Sequence, residues 1–340
     1  MGETSSSGGR SRLFWQVSAL VLVAVGAGGR KAEAATATTT GGLTIDLQGQ
    51  WAIDSSGSAE GPASLDQNFD NKVATIGGYT VSGEILYQPP GSPWSFGAGI
   101  RYGRMNEHMK KHSFATTTSK LYPSGKYSVT HATNQSLSDV INAEHYTVDF
   151  EVGHDFGVGL FGPGTTTLGI GVRYAHFDST VTGKFSTSTK YSVKYLGSII
   201  TAFGHSSTKA GRFTSKRVTD AVGPRIFVKT VSPIPGLSGF SIGAGAGIAI
   251  LYGRQTVHTT LDLTSGTYAP AGLNRASSRS IPNADGFLQL NWTAPNSPFT
   301  IGVGYKVDAY FTVMDGGFTG KSEIDDVEHG PYLDVTFRLP

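Results

Sequence analysis

The 340-residue chain contains no cysteine. That excludes a disulfide scaffold and any thiolate metal site, while leaving the redox compartment open. Charge is also scarce. Asp, Glu, Lys and Arg make up 15% of the chain, and the formal net charge is only +2. No basic field exists to attract nucleic acid, so nucleic acid is not an expected partner. Past residue 34 no run is long and apolar enough for a transmembrane helix, which needs about 20 residues. If the mature protein spans a membrane, it must do so as a closed barrel, because lipid cannot satisfy an open sheet edge.

What the chain does have is alternation. Between Leu43 and Asp54, residues Leu43, Ile45, Leu47, Trp51 and Ile53 share one face. Thr44, Asp46, Gln48, Gln50 and Asp54 share the other. A period of two marks a strand with one apolar and one polar side. The pattern returns at about 78–88, 94–104, 143–154, 166–177, 218–230, 239–253, 284–293, 299–312 and 331–339. Segments of roughly ten residues suit strands that cross a bilayer with lipid outside and water inside. The fold class expected is an all-β, antiparallel up-and-down transmembrane β-barrel of about ten strands. Twelve is the alternative, if segments near 113–131 and 191–195 also enter the membrane.

The connections alternate in length. Short turns fall at Pro89–Pro93, Asp155–Thr165, Ser232–Ser238 and Thr293–Pro298. Long polar segments rich in Ser and Thr fall at 55–77, 105–142, 178–217, 254–283 and 313–330. That sorting describes short periplasmic turns and long extracellular loops.

The first residues carry an export signal. Arg10 and Arg12 precede the apolar run Leu13–Ala27, and Ala32-Glu33-Ala34 offers a cleavage site between small residues. The domain expectation is therefore a signal peptide at 1–34 and one barrel domain at 35–340. An uncleaved anchor is the alternative, disfavoured by Gly26, Gly28 and Gly29 and by the short run. Met1-Gly2 with Ser6 fits an acylation pattern, but the cleavage site behind it points to removal of the whole segment. The segment holds four basic and two acidic residues, so its loss brings the net charge near zero.

Glycine is abundant at 46 residues, well above the protein average of roughly 7%. Strands that follow short turns repeat one pattern: Phe96-Gly97-Ala98-Gly99-Ile100-Arg101, Leu168-Gly169-Ile170-Gly171-Val172-Arg173, and Ile301-Gly302-Val303-Gly304-Tyr305-Lys306. Ile242–Gly247 keeps the glycines and loses the cation. The glycines share parity with the basic residue and so face the lumen with it. Two compatible reasons for them are barrel curvature and volume left for water beside Arg101, Arg173 and Lys306. Glu84, Asp149, Glu151 and Arg225 fall on the same inward parity, as do Asp46 and Asp308. Facing lipid, an ionised Arg or Lys would cost about 2–4 kcal/mol at mid-bilayer. The pore-lining set expected is Arg101, Arg173, Arg225, Lys306, Glu84, Asp149, Glu151 and Asp308. Such charges either pair into a plug or border a channel. Tyr102-Gly103-Arg104 and Tyr252-Gly253-Arg254 end rising strands, as an interfacial girdle with cations among headgroups would.

Catalytic motifs are missing: there is no G-x-S-x-G elbow and no H-E-x-x-H pair. Gly316–Ser322 resembles a phosphate loop, but Asp315 replaces its first glycine. His145, His154 and His176 have Asp149, Asp155 and Asp178 nearby in sequence. A hydrolytic pair is conceivable there, although lumen or interfacial histidines are the plainer reading. Asn291-Trp292-Thr293 fits a glycosylation pattern at a strand end. No enzyme activity, cofactor or metal is expected.

The C-terminal half resembles a known family in Gly171–Asp178 (GVRYAHFD), Val222–Val228 (VGPRIFV), Gly245–Arg254 (GAGIAILYGR), Asn283–Trp292 (NADGFLQLNW), Tyr305–Gly317 (YKVDAYFTVMDGG) and Glu328–Pro331. These stretches look like the Legionella-type major outer membrane protein family, most strongly over roughly 140–340. The resemblance implies a pore-forming barrel of the bacterial outer membrane, its partners being the lipid bilayer, the barrel assembly machinery and small hydrophilic solutes or ions. One departure is the ending Phe337-Arg338-Leu339-Pro340, where such barrels commonly finish on an aromatic residue. The second reading is a plugged structural or adhesive barrel whose long loops bind a surface partner, since a lumen of around eight strands is filled by side chains.

Overall fold

The structure is a computed structural model that describes residues 41–54, 76–121, 127–160, 162–195, 198–265, 271–295, 297–315 and 323–339. Its elements are all strands: β1 (Gly42–Asp54), β2 (Ile76–Gln88), β3 (Trp94–Leu121), β4 (Tyr127–Asp155), β5 (Val158–Gly159), β6 (Gly162–Pro163), β7 (Thr165–Tyr195), β8 (Ser198–Pro233), β9 (Phe240–Ser265), β10 (Ala271–Thr293), β11 (Phe299–Asp315) and β12 (Glu323–Leu339). Ten of them close into one antiparallel barrel in the order β1-β12-β11-β10-β9-β8-β7-β4-β3-β2. The seam is the pairing of β1 with β12, from Leu43↔Leu339 to Asp54↔Glu328. β5 and β6 form a miniature hairpin inside the turn that joins β4 to β7. Ten strands is therefore the count, and the segments near 113–131 and 191–195 are the upper ends of β3, β4 and β7.

The alternation seen in the sequence sorts the two faces. Leu47, Val81, Ile100, Phe150, Ile170, Ile226, Ile248, Leu288, Ile301 and Leu333 point outward and are exposed. A soluble protein rarely leaves so continuous an apolar belt uncovered; here the belt girdles the barrel where lipid would sit. Outward positions 94–102, 146–152, 168–174, 222–228 and 301–307 carry no Asp, Glu, Lys or Arg. The outward ion pairs Arg104–Glu144 at 3.5 Å and Lys216–Asp178 at 2.9 Å lie above the belt. Tyr146, Tyr252 and Tyr305 lie between belt and ion pairs, all exposed, as interfacial aromatics do. At the opposite rim Phe337 packs against Phe299 with the rings tilted and their centroids 4.4 Å apart.

The long connections differ from expectation. Stretches read as loops at 105–142, 178–217 and 254–283 are largely strand, and β8 reaches 36 residues. At about 3.3 Å per residue it would run on the order of 100 Å, far beyond a bilayer. Pairing of β2 with β3 ends at Gly78↔Met105, whereas β3 with β4 continues to Leu121↔Ser128. A tall wall of β3, β4, β7 and β8 thus stands above the rest. These extensions lack the outward apolar face of the spans and carry apolar residues only at scattered inward positions such as Ile141, Val181, Phe185 and Phe213. The two-residue hydrophobic period is therefore weak, although their Thr content favours strands. The segment 55–75, the phosphate-loop-like Gly316–Ser322, the export segment and the acylation pattern lie outside the described residues.

Candidate functional site

Every luminal side chain reaches its place by strand parity. On β3, Arg101 follows Gly97 and Gly99 on the inner face; on β7, Arg173 follows Gly169 and Gly171; on β11, Lys306 follows Gly302 and Gly304. The structure places all eight predicted residues inside and gathers seven of them into one ion-paired layer. Arg101 donates to Asp308 at 2.5 Å and to Glu328 at 3.1 Å. Arg173 grips Asp149 with two bonds of 2.7 Å, and its Nη1 donates to Asn283 at 2.7 Å and to Asp285 at 2.9 Å. Arg225 pairs with Glu151 and, at 2.7 Å, with Asp285. Lys229 ties Glu84 at 2.7 Å to Glu151 at 3.0 Å. Lys306 stands apart in its bonding and donates to Gln48 at 3.2 Å.

Two of these pairs cross the lumen. In the barrel order β2, β1 and β12 separate β3 from β11, and β7, β4 and β3 separate β8 from β2. Arg101–Asp308 and Lys229–Glu84 are therefore struts between distant parts of the wall. The arginine pairs are dry, with Arg101, Arg173 and Arg225 exposed to 6%, 4% and 6% and Asp308 to 2%, whereas Lys229 and Glu84 are each about a third exposed. Charge-assisted bonds gain strength in such surroundings, and bidentate arginine geometry adds direction.

The inward glycines do not leave open water beside the cations. A Cβ at Gly247 would lie 2.6 Å from Arg225 Nη2 and 2.9 Å from Asp285 Oδ1. Rings occupy the space over Gly103 (His145), Gly169 (Phe227) and Gly245 (Phe287). Glycine thus makes room for large side chains from neighbouring strands, which corrects the expectation of water-filled volume. The reason is geometric: a strand glycine marks close approach, and in a narrow barrel what approaches is another side chain.

Outward from the charged layer the lumen holds two apolar clusters, interleaved with buried polar groups such as Arg217, Thr219 and Gln255. Phe177, Leu251, Ile281, Tyr310 and Val313 cluster with Ala175, Ala221 and Ala249, all buried. A second cluster holds Ala52, Met105, Ile141, Val181, Phe185 and Phe213. On the periplasmic side a cavity of about 760 Å³ opens among Thr165, Val231, Ile234, Phe240, Thr293 and Arg338.

Four participants escaped the sequence reading: Lys229, Asn283, Asp285 and Glu328. Parity with Arg225 would have found Lys229, and parity against Leu288 and Leu290 would have found Asp285. Glu328 lies before the assigned start of its strand. The histidines do not form the sequence-local pairs considered. His145 points inward and binds Glu328 at 2.7 Å. His176 points outward, stacks on Tyr146 and contacts Asp220 at 2.7 Å. His154 packs edge-on against Trp94. Asp149 belongs to Arg173, Asp178 to Lys216, and Asp155 accepts the Gly157 N–H in its turn. Asn291 is buried and accepts from Gln289. Among the described residues no group of three or more His, Asp or Glu side chains is arranged to hold a metal.

Comparison with known proteins adds the following. The family model described as "Legionella pneumophila major outer membrane protein precursor" matches residues 95–339. No curated protein matches the chain. Among solved structures, the outer membrane protease OmpT of Escherichia coli is similar with a TM-score of 0.43 at 8% identity, covering 88% of this chain and 97% of that one. A major outer membrane protein of Thermus thermophilus gives 0.27 at 11% identity, covering 88% and 99%. The translocator domain of the autotransporter NalP of Neisseria meningitidis gives 0.29 at 10% identity, covering 97% of both chains.

Proposed function

Because this chain belongs to the Legionella pneumophila major outer membrane protein family, and is therefore an outer-membrane β-barrel, we propose that it is a porin-like pore in its closed state. Ions and small hydrophilic solutes would diffuse passively through it once the luminal layer rearranges. The observation that carries this reading is the sharing of partners within that layer. Arg173 sits 2.9 Å from Asp285 and 4.0 Å from Asp308 while holding Asp149, and Asp285 is shared with Arg225. An arginine with several carboxylates in reach can exchange one for another without ever standing unpaired. Arg101, Arg173, Arg225, Lys306, Glu84, Asp149, Glu151 and Asp308 are then the constriction whose charges bias selectivity. The proposal includes residues 1–34 as a cleaved export signal and assembly through the barrel assembly machinery. It includes no catalytic step and no cofactor.

Purified protein in a planar bilayer should give discrete conductance steps. Arg101→Gln with Arg173→Gln should move the reversal potential in a salt gradient toward cation preference. A silent bilayer would remove the pore. The second reading, a plugged structural or adhesive barrel, is favoured by the two apolar clusters above the ion pairs and by the tall extramembrane wall. Under it, shortening the β7–β8 hairpin should abolish surface attachment in a protein that never conducts.

A further inference from the structure

Near its outer end β11 leaves the regular ladder. Tyr310 pairs with Asp326 and Met314 with Ile324, so Phe311, Thr312 and Val313 together oppose Asp325. Thr312 adopts φ 58°, a left-handed conformation that β-branched residues rarely take. The insertion folds inward. Val313 and Tyr310 are completely buried, and Tyr310 meets Phe177 of β7 edge-on at 4.8 Å, across three intervening strands.

Side-chain hydrogen bonds fasten the bulge. The Thr312 N–H donates to the Asp325 carboxylate at 2.8 Å, and the Thr312 hydroxyl donates to the Ser280 carbonyl at 3.3 Å. Arg279 donates to the Thr312 carbonyl at 3.4 Å. The Thr219 hydroxyl of β8 donates to the Val313 carbonyl at 3.2 Å. With β9 and β10 between β8 and β11 in the wall, that last bond spans the lumen.

We propose that residues 311–313 form a movable apolar gate, latched shut across the lumen by Thr219; the gating role rests on the pore reading above. An apolar constriction excludes ions by staying dry. Bulges are built features that re-aim side chains and terminate pairing. This one lies above exposed Tyr305 on the same strand, beyond the interfacial girdle. It can therefore swing outward into water without presenting unpaired backbone to lipid. These four bonds are separate from the ladders of the neighbouring strands, so breaking them leaves the barrel wall intact.

The chain has no native cysteine, so Val313→Cys supplies a single thiol whose reaction with a membrane-impermeant maleimide reads opening directly. The rate should be slow, and adding Thr219→Val should raise it at least tenfold. An exposed control, His258→Cys, should react fast and ignore Thr219→Val. Amide exchange at 311–313 gives the same readout without cysteine, should Val313→Cys assemble poorly. An unchanged rate of labelling or exchange after loss of the Thr219 hydroxyl overturns the latch, whatever the bilayer shows. Faster labelling with no conductance leaves the latch standing and removes the pore. Faster labelling together with a higher open probability is the result expected.

Discussion

Replacing Arg173 by methionine asks whether the luminal layer is a dry strut or a wetted constriction. The guanidinium makes two bonds to Asp149, one to Asp285 and one to Asn283. Its side chain is exposed to 5%, and those of Asp149 and Asp285 to 18% and 10%. Arg173→Met leaves Asp149 without the cation it binds, and leaves Asp285 to Arg225 alone. Removing one partner of a buried ion pair costs about 3–5 kcal/mol, because the other charge stays buried. In a water-filled lumen the same loss would resemble a surface pair, about 0–1 kcal/mol. The two cases are well separated. Urea unfolding of protein refolded into phospholipid vesicles measures the difference. Tryptophan emission serves as the signal, since Trp51, Trp94 and Trp292 lie on the lipid-facing side. Adding Asp149→Leu should recover at least half of the loss, since an apolar pair of similar volume replaces a buried ion pair at little cost. The cycle of single and double variants isolates the coupling. A loss below about 1 kcal/mol, or no recovery in the double variant, would refute a dry, strut-like layer.

Two further outcomes test the rest of the architecture. Ile226→Arg places a cation on the outward face, at a side chain exposed to 52%, and should destabilise the membrane-inserted barrel by about 2–4 kcal/mol. Folding yield in vesicles measures it; a neutral result would mean that this face meets water. Gly247→Ala puts a methyl group against the Arg225–Asp285 pair and should cost about 1–3 kcal/mol through overpacking. The urea midpoint checks it, and an unchanged midpoint would show that the lumen has room to spare.

How much of this was legible beforehand follows from where the physics is local. Trp94 to Arg104 announces its strand because Trp94, Phe96, Ile100 and Tyr102 alternate with small or polar residues, and lipid enforces that alternation residue by residue. Residues 117–120 in the upper part of β3 are exposed on both faces, so no such period is imposed there, and the strand is not legible in the sequence. Luminal charges such as Arg101 and Glu84 were legible because an ion has nowhere else to go. Their partners were not: Asp308 is 207 positions from Arg101 in the chain, and Lys229 is 145 from Glu84.

The sequence by itself determined the membrane-facing side, the short turns and the inward direction of charges such as Arg101, Glu84 and Asp308, and it favoured ten crossings over twelve. All of these depend on neighbours two residues apart or on a solvent that every strand meets alike. Tertiary structure alone decided what lies inside. Closing the barrel at ten strands brings opposite walls within side-chain reach, and only then do arginines find carboxylates, rings settle over glycines, and an inserted turn of β11 fall across the lumen.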